Sequence, residues 1–153
     1  MTHRPGAARW LALLPGLAGT GATAACLALA SHPDGTALAQ LSLPHAAFAV
    51  TYVHSVTRTP VVELYRVDGT TIVEVEMRFA QPGPGLPTEA DAGHAFVQRD
   101  GQLVVSMARR LPEIVMRVHR DQSPRITVDG RDVDLAAWGN RAIAVRAASC
   151  TAS

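Results

Sequence analysis

Residues 67–79, VDGTTIVEVEMRF, join a hairpin turn to a strand with alternating side chains. Asp68-Gly69 favours a tight β-turn, because both residue types tolerate positive φ. Apolar residues then recur at every second position from Val73 to Phe79, which is the period of a strand with one buried face. The charged residues between them, Glu74 included, are expected on the opposite face. This stretch predicts an antiparallel β-hairpin.

The same pattern extends through the rest of the chain. Asp-Gly recurs at residues 100–101 and 129–130, each time between segments with β character, so three hairpins are predicted. Further strands are predicted at Gln102 to Met107, Ile114 to His119, Arg125 to Val128, Asp132 to Leu135 and Ala142 to Arg146. Seven or eight short strands in about 110 residues predict an all-β fold, a small antiparallel β-sandwich or barrel-like domain.

The first 39 residues have the order of an export signal. Arg4 and Arg9 precede a long uncharged stretch that is rich in alanine and leucine, as in the n-region and h-region of a signal peptide. Two small-x-small sites follow, and cleavage there predicts a mature chain that begins at Ser31 or Gln40. The alternative is an uncleaved membrane anchor. Either way, the expected location is the periplasm or the extracytoplasmic face of the inner membrane.

Residues 40–153 are then predicted to form a single β domain, separate from the signal peptide or anchor at residues 1–39. Cys26 lies in the leader and Cys150 near the C-terminus, so a disulfide between them is not expected. Residues 23–26, Thr-Ala-Ala-Cys, resemble a lipoprotein cleavage box, and lipidation of Cys26 is therefore a further alternative.

The charge of the chain argues against binding to nucleic acid. The 14 basic residues are all arginine, against 13 acidic residues. Loss of residues 1–39 removes two arginines and one aspartate, which leaves 12 of each sign. Phosphate binding requires a clear basic excess on one face. The histidines do not have close ligand spacing, and no cofactor or metal is predicted.

The first hairpin places a histidine near a carboxylate. If Val56 and Val61 pair across a four-residue loop, His54 lies opposite Glu63, within reach of a hydrogen bond. Glu74 joins the same row if the turn at Asp68-Gly69 takes two residues, and Val75 if it takes three. The pair is either a salt bridge at the sheet margin or a site in which Glu63 raises the basicity of His54. Ser55 is not expected to form a dyad with His54, because neighbouring strand residues point to opposite faces.

A glycine- and proline-rich loop, residues 80–95, follows this hairpin and its partner strand. A connection of this length is usually functional or mobile. Prolines including Pro87 stiffen it, while Gly83 and Gly85 leave backbone amides free to receive a carboxylate or a partner. Its segment Pro82 to Pro87 is expected to lie over or beside the His54-Glu63 end of the first hairpin, if the two form one functional surface. A plain surface crossover between two sheets is the alternative.

Three segments carry a resemblance: HSVTRTPVVE at 54–63, PGPGLP at 82–87 and RRLPEIVMRV at 109–118. In their order and spacing they resemble a small bacterial family of unknown function, often encoded beside permeases of TAXI-type TRAP transporters. The resemblance covers most of Phe48 to Leu135. It implies an extracytoplasmic accessory domain, and it brings no catalytic assignment. The residues on which it places weight are His54, Ser55, Thr59, Pro60, Glu63, Gly83, Gly85 and Pro87.

The function expected on these grounds is an accessory or binding domain of a TRAP-type solute transporter. Its expected partners are the permease or the solute-binding protein, and a small carboxylate is the expected ligand. Two other classes stay open. One is an exported hydrolase-like enzyme that uses His54 and Glu63, although no second catalytic motif accompanies them. The other is a structural protein of the cell envelope.

Overall fold

The computed structural model describes residues 25–150, in which eleven strands form two antiparallel sheets. The strands are β1 (Ala25–His32), β2 (Ala37–Leu43), β3 (Ala47–Val53), β4 (Pro60–Asp68), β5 (Thr71–Phe79), β6 (Phe96–Arg99), β7 (Gln102–Leu111), β8 (Ile114–Val118), β9 (Arg125–Val128), β10 (Arg131–Asp134) and β11 (Arg141–Ser149). The described residues also include two short 3-10 helices, Arg120–Gln122 and Leu135–Trp138. The prediction of an all-β sandwich is confirmed.

The two sheets differ in width. One has four strands in the order β2-β1-β11-β8, and the other has seven in the order β10-β9-β3-β4-β5-β7-β6. The main core contains buried apolar side chains from both sheets, including Leu27, Leu29, Phe48, Val50, Ile72, Ile126, Ile143 and Val145. A second, smaller cluster lies on the seven-stranded sheet and includes Leu86 from the loop at 80–95.

The three Asp-Gly hairpins are confirmed as the β4–β5, β6–β7 and β9–β10 connections. In the second and third, both turn residues have positive φ, at +50° and +76° in Asp100-Gly101 and +49° and +74° in Asp129-Gly130. In the first, Asp68 still pairs with Thr71, and only Gly69 has positive φ, at +61°. The first turn is therefore centred one residue later than the Asp-Gly dipeptide.

Strand β1 and part of β2 lie in the segment that the sequence assigns to a leader. β1 pairs with β2 on one side and with β11 on the other, and Leu27 and Leu29 are 0% and 1% exposed. The folded domain thus includes residues 25–39, and the predicted boundary before Gln40 falls inside β2. The boundary was placed too late because a buried strand of alanine and leucine has the same composition as the h-region of a signal peptide.

A disulfide joins Cys26 to Cys150, across 124 positions of sequence. It links the start of β1 to the residue after β11, its partner strand. The expectation that these cysteines do not pair is wrong, because it assigned Cys26 to the leader. A lipid on Cys26 would require the same sulfur atom, so lipidation is incompatible with this form of the domain. Within residues 25–150, the chain contains no helix of the length and hydrophobicity needed to cross a membrane.

A chain that begins at Ala25 is expected to fold, whereas one that begins at Gln40 is expected to lack a cooperative unfolding transition. Burial of Leu27 and Leu29 contributes about 1.5–3 kcal/mol each, and a disulfide that closes so long a loop about 4–5 kcal/mol. Total stabilities are only about 5–15 kcal/mol. Circular dichroism during thermal unfolding, under non-reducing conditions, measures the difference.

The matched control begins at Ala25 and carries Cys26→Ala and Cys150→Ala, so it keeps β1 without the disulfide. It is expected to unfold cooperatively at a lower temperature than the disulfide-bonded chain. A chain from Gln40 that unfolds at the same temperature as the chain from Ala25 would show that β1 is dispensable.

Candidate functional site

The β3–β4 hairpin has a longer loop than the sequence predicts. Val53 pairs with Pro60 and Val50 pairs with Glu63, so the loop has six residues, 54–59, rather than four. The predicted pairing of His54 with Glu63 is wrong by four positions. His54 leaves the strand pattern and closes the turn instead, since its backbone bonds to Thr59 and Arg58.

The His54 ring is held by main-chain atoms on both sides. Nδ1 accepts hydrogen bonds from the backbone N–H groups of Val56 at 3.3 Å and Thr57 at 3.1 Å. Nε2 lies 3.0 Å from the carbonyl oxygen of Pro84, to which it must donate. These partners fix the Nε2–H tautomer of a neutral imidazole. With its side chain buried, His54 connects the hairpin turn to the loop at 80–95.

Gly83 allows the loop to approach the turn closely. A Cβ atom at this position would lie 2.8 Å from Cγ2 of Thr57 and 3.0 Å from Cε1 of His54. Nearby, the Gln81 amide donates to the Thr57 carbonyl oxygen, and Leu86 is buried in the second core cluster. The prediction that this loop lies beside the His54-Glu63 end of the hairpin is confirmed for His54, whereas Glu63 pairs with Val50 farther along the strands.

The remaining residues singled out in the sequence have different environments. Ser55 is exposed, and the Thr59 hydroxyl lies 2.9 Å from that of Thr57 within the turn. Pro87 is half-buried. Of these residues, only Glu63 and Gly85 line a polar cleft on the seven-stranded sheet. The residues singled out in the sequence therefore belong to two separate features of the structure. One is the contact between the turn and the loop, and the other is the cleft.

This cleft, of about 470 Å³, lies between the inner face of the seven-stranded sheet and strand β8. At its floor, the Glu63 carboxylate accepts two tyrosine hydrogen bonds. Tyr52 Oη donates to Oε1 at 3.0 Å and Tyr65 Oη donates to Oε2 at 2.6 Å. Gly85 lines the same cleft and belongs to the loop that His54 holds.

A β-bulge turns a second carboxylate into the cleft. Glu74 pairs with Tyr65 on β4 and with Arg109 on β7, whereas Val75 is skipped in both ladders. The extra residue reverses the alternation of side chains, so Glu74 faces inward and is 3% exposed. The expectation that Glu74 lies on the face opposite Met77 is wrong for this reason, since both line the cleft. An Arg109 guanidinium nitrogen donates to Glu74 Oε2 at 3.1 Å.

Burial dominates the electrostatics of the cleft. It raises the pKa of Glu74, the Glu63 charge raises it further, and Arg109 opposes both effects. Burial and the Glu63 carboxylate also raise the pKa of Tyr52 and of Tyr65. Both phenols therefore keep their protons at physiological pH and remain donors to Glu63.

Sequence reasoning found Glu63 and Gly85 but not the rest of the cleft. Tyr52 and Tyr65 were part of the first hairpin without an assigned role, and Arg109 lies beyond the predicted end of its strand. An inward Glu74 depends on the bulge, for which the sequence carries no clear signal. Among residues 25–150, no group of three histidine, cysteine, aspartate or glutamate side chains is placed to hold a metal ion.

A family model described as a domain of unknown function, DUF1850, matches residues 48–135. The match covers more than half of the chain, which therefore belongs to this family. No curated protein and no solved structure matches the chain. The matched range includes the cleft floor and β8 as well as the contact between turn and loop, but β1, β2 and β11 lie outside it.

Replacement of Gly83 by alanine is expected to reduce stability by about 1–3 kcal/mol, the usual cost of overpacking. The new methyl group would collide with Thr57 and His54. Thr57→Ser removes the nearer obstacle, Cγ2, and keeps a hydroxyl for Thr59. The double variant is thus expected to regain part of the loss, measured by chemical denaturation as a double-mutant cycle. Strict additivity of the two substitutions would argue against this contact.

Replacement of Glu74 by glutamine is expected to change how stability depends on pH. A carboxyl with a raised folded-state pKa contributes stability below its ordinary value, 4.5, and loses it as pH rises through the raised value. Glutamine does not titrate, so the variant does not lose this stability. Its free energy of unfolding should therefore rise relative to that of the parent as pH increases across this window. Urea unfolding at several pH values measures it.

Glu89→Gln is the matched control for this titration, because Glu89 is exposed on the loop at 80–95. Its pH profile is expected to follow that of the parent. A Glu74→Gln profile that also runs parallel to the parent would contradict a raised pKa at Glu74.

Proposed function

We propose that this DUF1850 protein is an extracytoplasmic accessory domain that binds a small ligand in its cleft and works beside a TRAP-type solute transporter. The observation that carries the proposal is the polar floor of the cleft. Glu63, Glu74 and the two tyrosines are brought together inside a small β-sandwich. The cleft volume also lies within the range of about 300–1,000 Å³ that is typical of small-ligand sites.

The cleft floor is an unfavourable choice for a protein that needs stability alone. Glu74 is buried with a single ion-pair partner, Arg109, which is itself half exposed. Replacing a buried ion pair by apolar residues is often neutral or stabilising. Inward-facing carboxylates at this cost support a binding role over that of a purely structural envelope protein.

The disulfide between Cys26 and Cys150 supports the extracytoplasmic part of the proposal. Such bonds form and persist mainly in oxidising compartments. In this fold, any cleavage of a leader must fall before β1, because β1 is paired on both sides. The sequence Ala22-Thr23-Ala24 offers a small-x-small site directly before Ala25, and we place the cleavage there rather than before Ser31 or Gln40.

The transporter association rests on the resemblance to a small family that is often encoded beside TAXI-type TRAP permeases, and the permease or solute-binding protein is the proposed partner. A hydrolase built on His54 and Glu63 has less support. Both ring nitrogens of His54 bond to main-chain atoms, so neither is available as a general base while the loop is in place. Glu63 lies opposite Val50 rather than His54.

Expression of the full chain with a TAXI-type TRAP permease and solute-binding protein from the same organism tests the proposal. The chain is expected in the extracytoplasmic fraction, with an intact mass that corresponds to an N-terminus at Ala25 and an oxidised disulfide. It is also expected to co-purify with the permease or the solute-binding protein. A reduced, full-length chain in the cytoplasm would contradict export, and an exported chain that binds neither protein would contradict the transporter role.

A further inference from the structure

The groups on the cleft floor can accept hydrogen bonds from a ligand but have no free proton to donate. Tyr52 and Tyr65 each use their only proton to bond Glu63. Their phenol oxygens can then offer only lone pairs to a ligand. The Glu63 carboxylate is an acceptor as well, and so is Glu74 in its ionised form. A ligand that reaches this floor must therefore supply donors.

The charges of the cleft are arranged in the same sense. Glu63 and Glu74 lie inward. Within the described residues, no cationic side chain lies within 4 Å of the Glu63 carboxylate, so Glu63 has no ion-pair partner. The arginines that line the cleft lie toward its outer margin, since the Arg109 side chain is 53% exposed and Arg117 is exposed. Arg109 already bonds Glu74. The interior thus has a surplus of negative charge, with its positive charge near solvent.

The walls of the cleft are apolar. They include Val50 and Met77 from the seven-stranded sheet, Leu111 from the end of β7, and Ile114 and Met116 from β8. Such walls favour a ligand that has a hydrocarbon portion in addition to its polar head. A hydrated inorganic ion would leave these side chains uncovered.

We propose that the cleft binds an organic cation, with an ammonium or guanidinium head against Glu63, Glu74 and Tyr52 and an apolar body against the walls. This inference rests on the proposed function to the extent that the cleft is a ligand site. It replaces the small carboxylate expected from the sequence, because a carboxylate would have to approach two glutamates and would find no donor on the floor. Charge-assisted donors, by contrast, would meet four acceptor groups.

Three ligands of similar size and shape separate the classes: hexylammonium, hexanol and hexanoate. Phenethylammonium and butylguanidinium extend the test to an aromatic body and a guanidinium head. The full exported protein is titrated with each compound by calorimetry, at constant ionic strength. At least one cation is expected to bind, with an affinity tenfold or more above that of hexanol, whereas hexanoate is expected to show no binding.

Glu63→Gln removes the central charge of the floor and keeps its shape. It is expected to weaken binding of the cation by roughly tenfold to a hundredfold, the usual effect of losing a hydrogen bond to a charged group. Glu76→Gln is the matched control, because Glu76 also lies on β5 but bonds Arg78 and does not line the cleft. Its affinity is expected to equal that of the parent. Thermal unfolding verifies that both variants are folded.

The outcomes distinguish this inference from the transporter proposal. Binding of hexanoate in preference to the cations overturns the ligand class but leaves a ligand-binding cleft. Failure of all three cations also overturns it, whether or not the permease complex forms. Cation binding that depends on Glu63 supports it, even in a protein that does not associate with the permease. Equal losses in Glu63→Gln and Glu76→Gln would place the cation outside the cleft and overturn the inference.

Discussion

The inner face of the seven-stranded sheet is too wide for the four-stranded sheet to cover, and the arrangement of the site follows from this mismatch. The four-stranded sheet contributes to the main core, which includes Phe48 and Val50. The region around Val61 and Phe79 forms a second cluster with Leu86 of the loop at 80–95. A polar cleft lies between these two apolar regions. Ionisable side chains can occupy it without interrupting either cluster.

The sequence predicts those parts of the fold that depend on local chemistry. The Asp-Gly turns and the alternating strands beyond residue 100 follow from residue preferences, and the structure contains them. The register between two strands depends on contacts that are distant in sequence. The predicted register of β3 and β4 was wrong because His54 leaves the strand and its ring accepts hydrogen bonds from Val56 and Thr57. The bulge at Val75 could not be predicted from the sequence either, because the residues of β5 around it alternate regularly between apolar and charged. Strand β1 was missed because its apolar residues fit a leader equally well until its neighbours β2 and β11 are known.

The candidate site was predictable to the same limited extent. The loop at 82–87 was rightly expected beside His54, because a stiff loop with a bare glycine is suited to a close backbone approach. Glu63 was selected as a charged residue in an apolar strand and does face the cleft, but its expected partner was wrong. Its true partners, Tyr52 and Tyr65, have aromatic rings that suit strand positions without any functional role. Only the inward position of Glu63 shows that their hydroxyl groups matter.

The histidine and the carboxylate of the motif HSVTRTPVVE thus act in different ways. His54 does not touch the cleft floor, yet it holds Pro84, and the next residue, Gly85, lines the cleft. Gly85 has φ of +84°, a conformation that favours glycine, and it bends the loop immediately before Leu86 enters the second cluster. By its hydrogen bond to Pro84, the His54 imidazole therefore sets the position of one cleft wall, while Glu63 sets the polarity of the floor. A short segment can in this way control both the shape and the charge of a cleft although its two ionisable residues never meet.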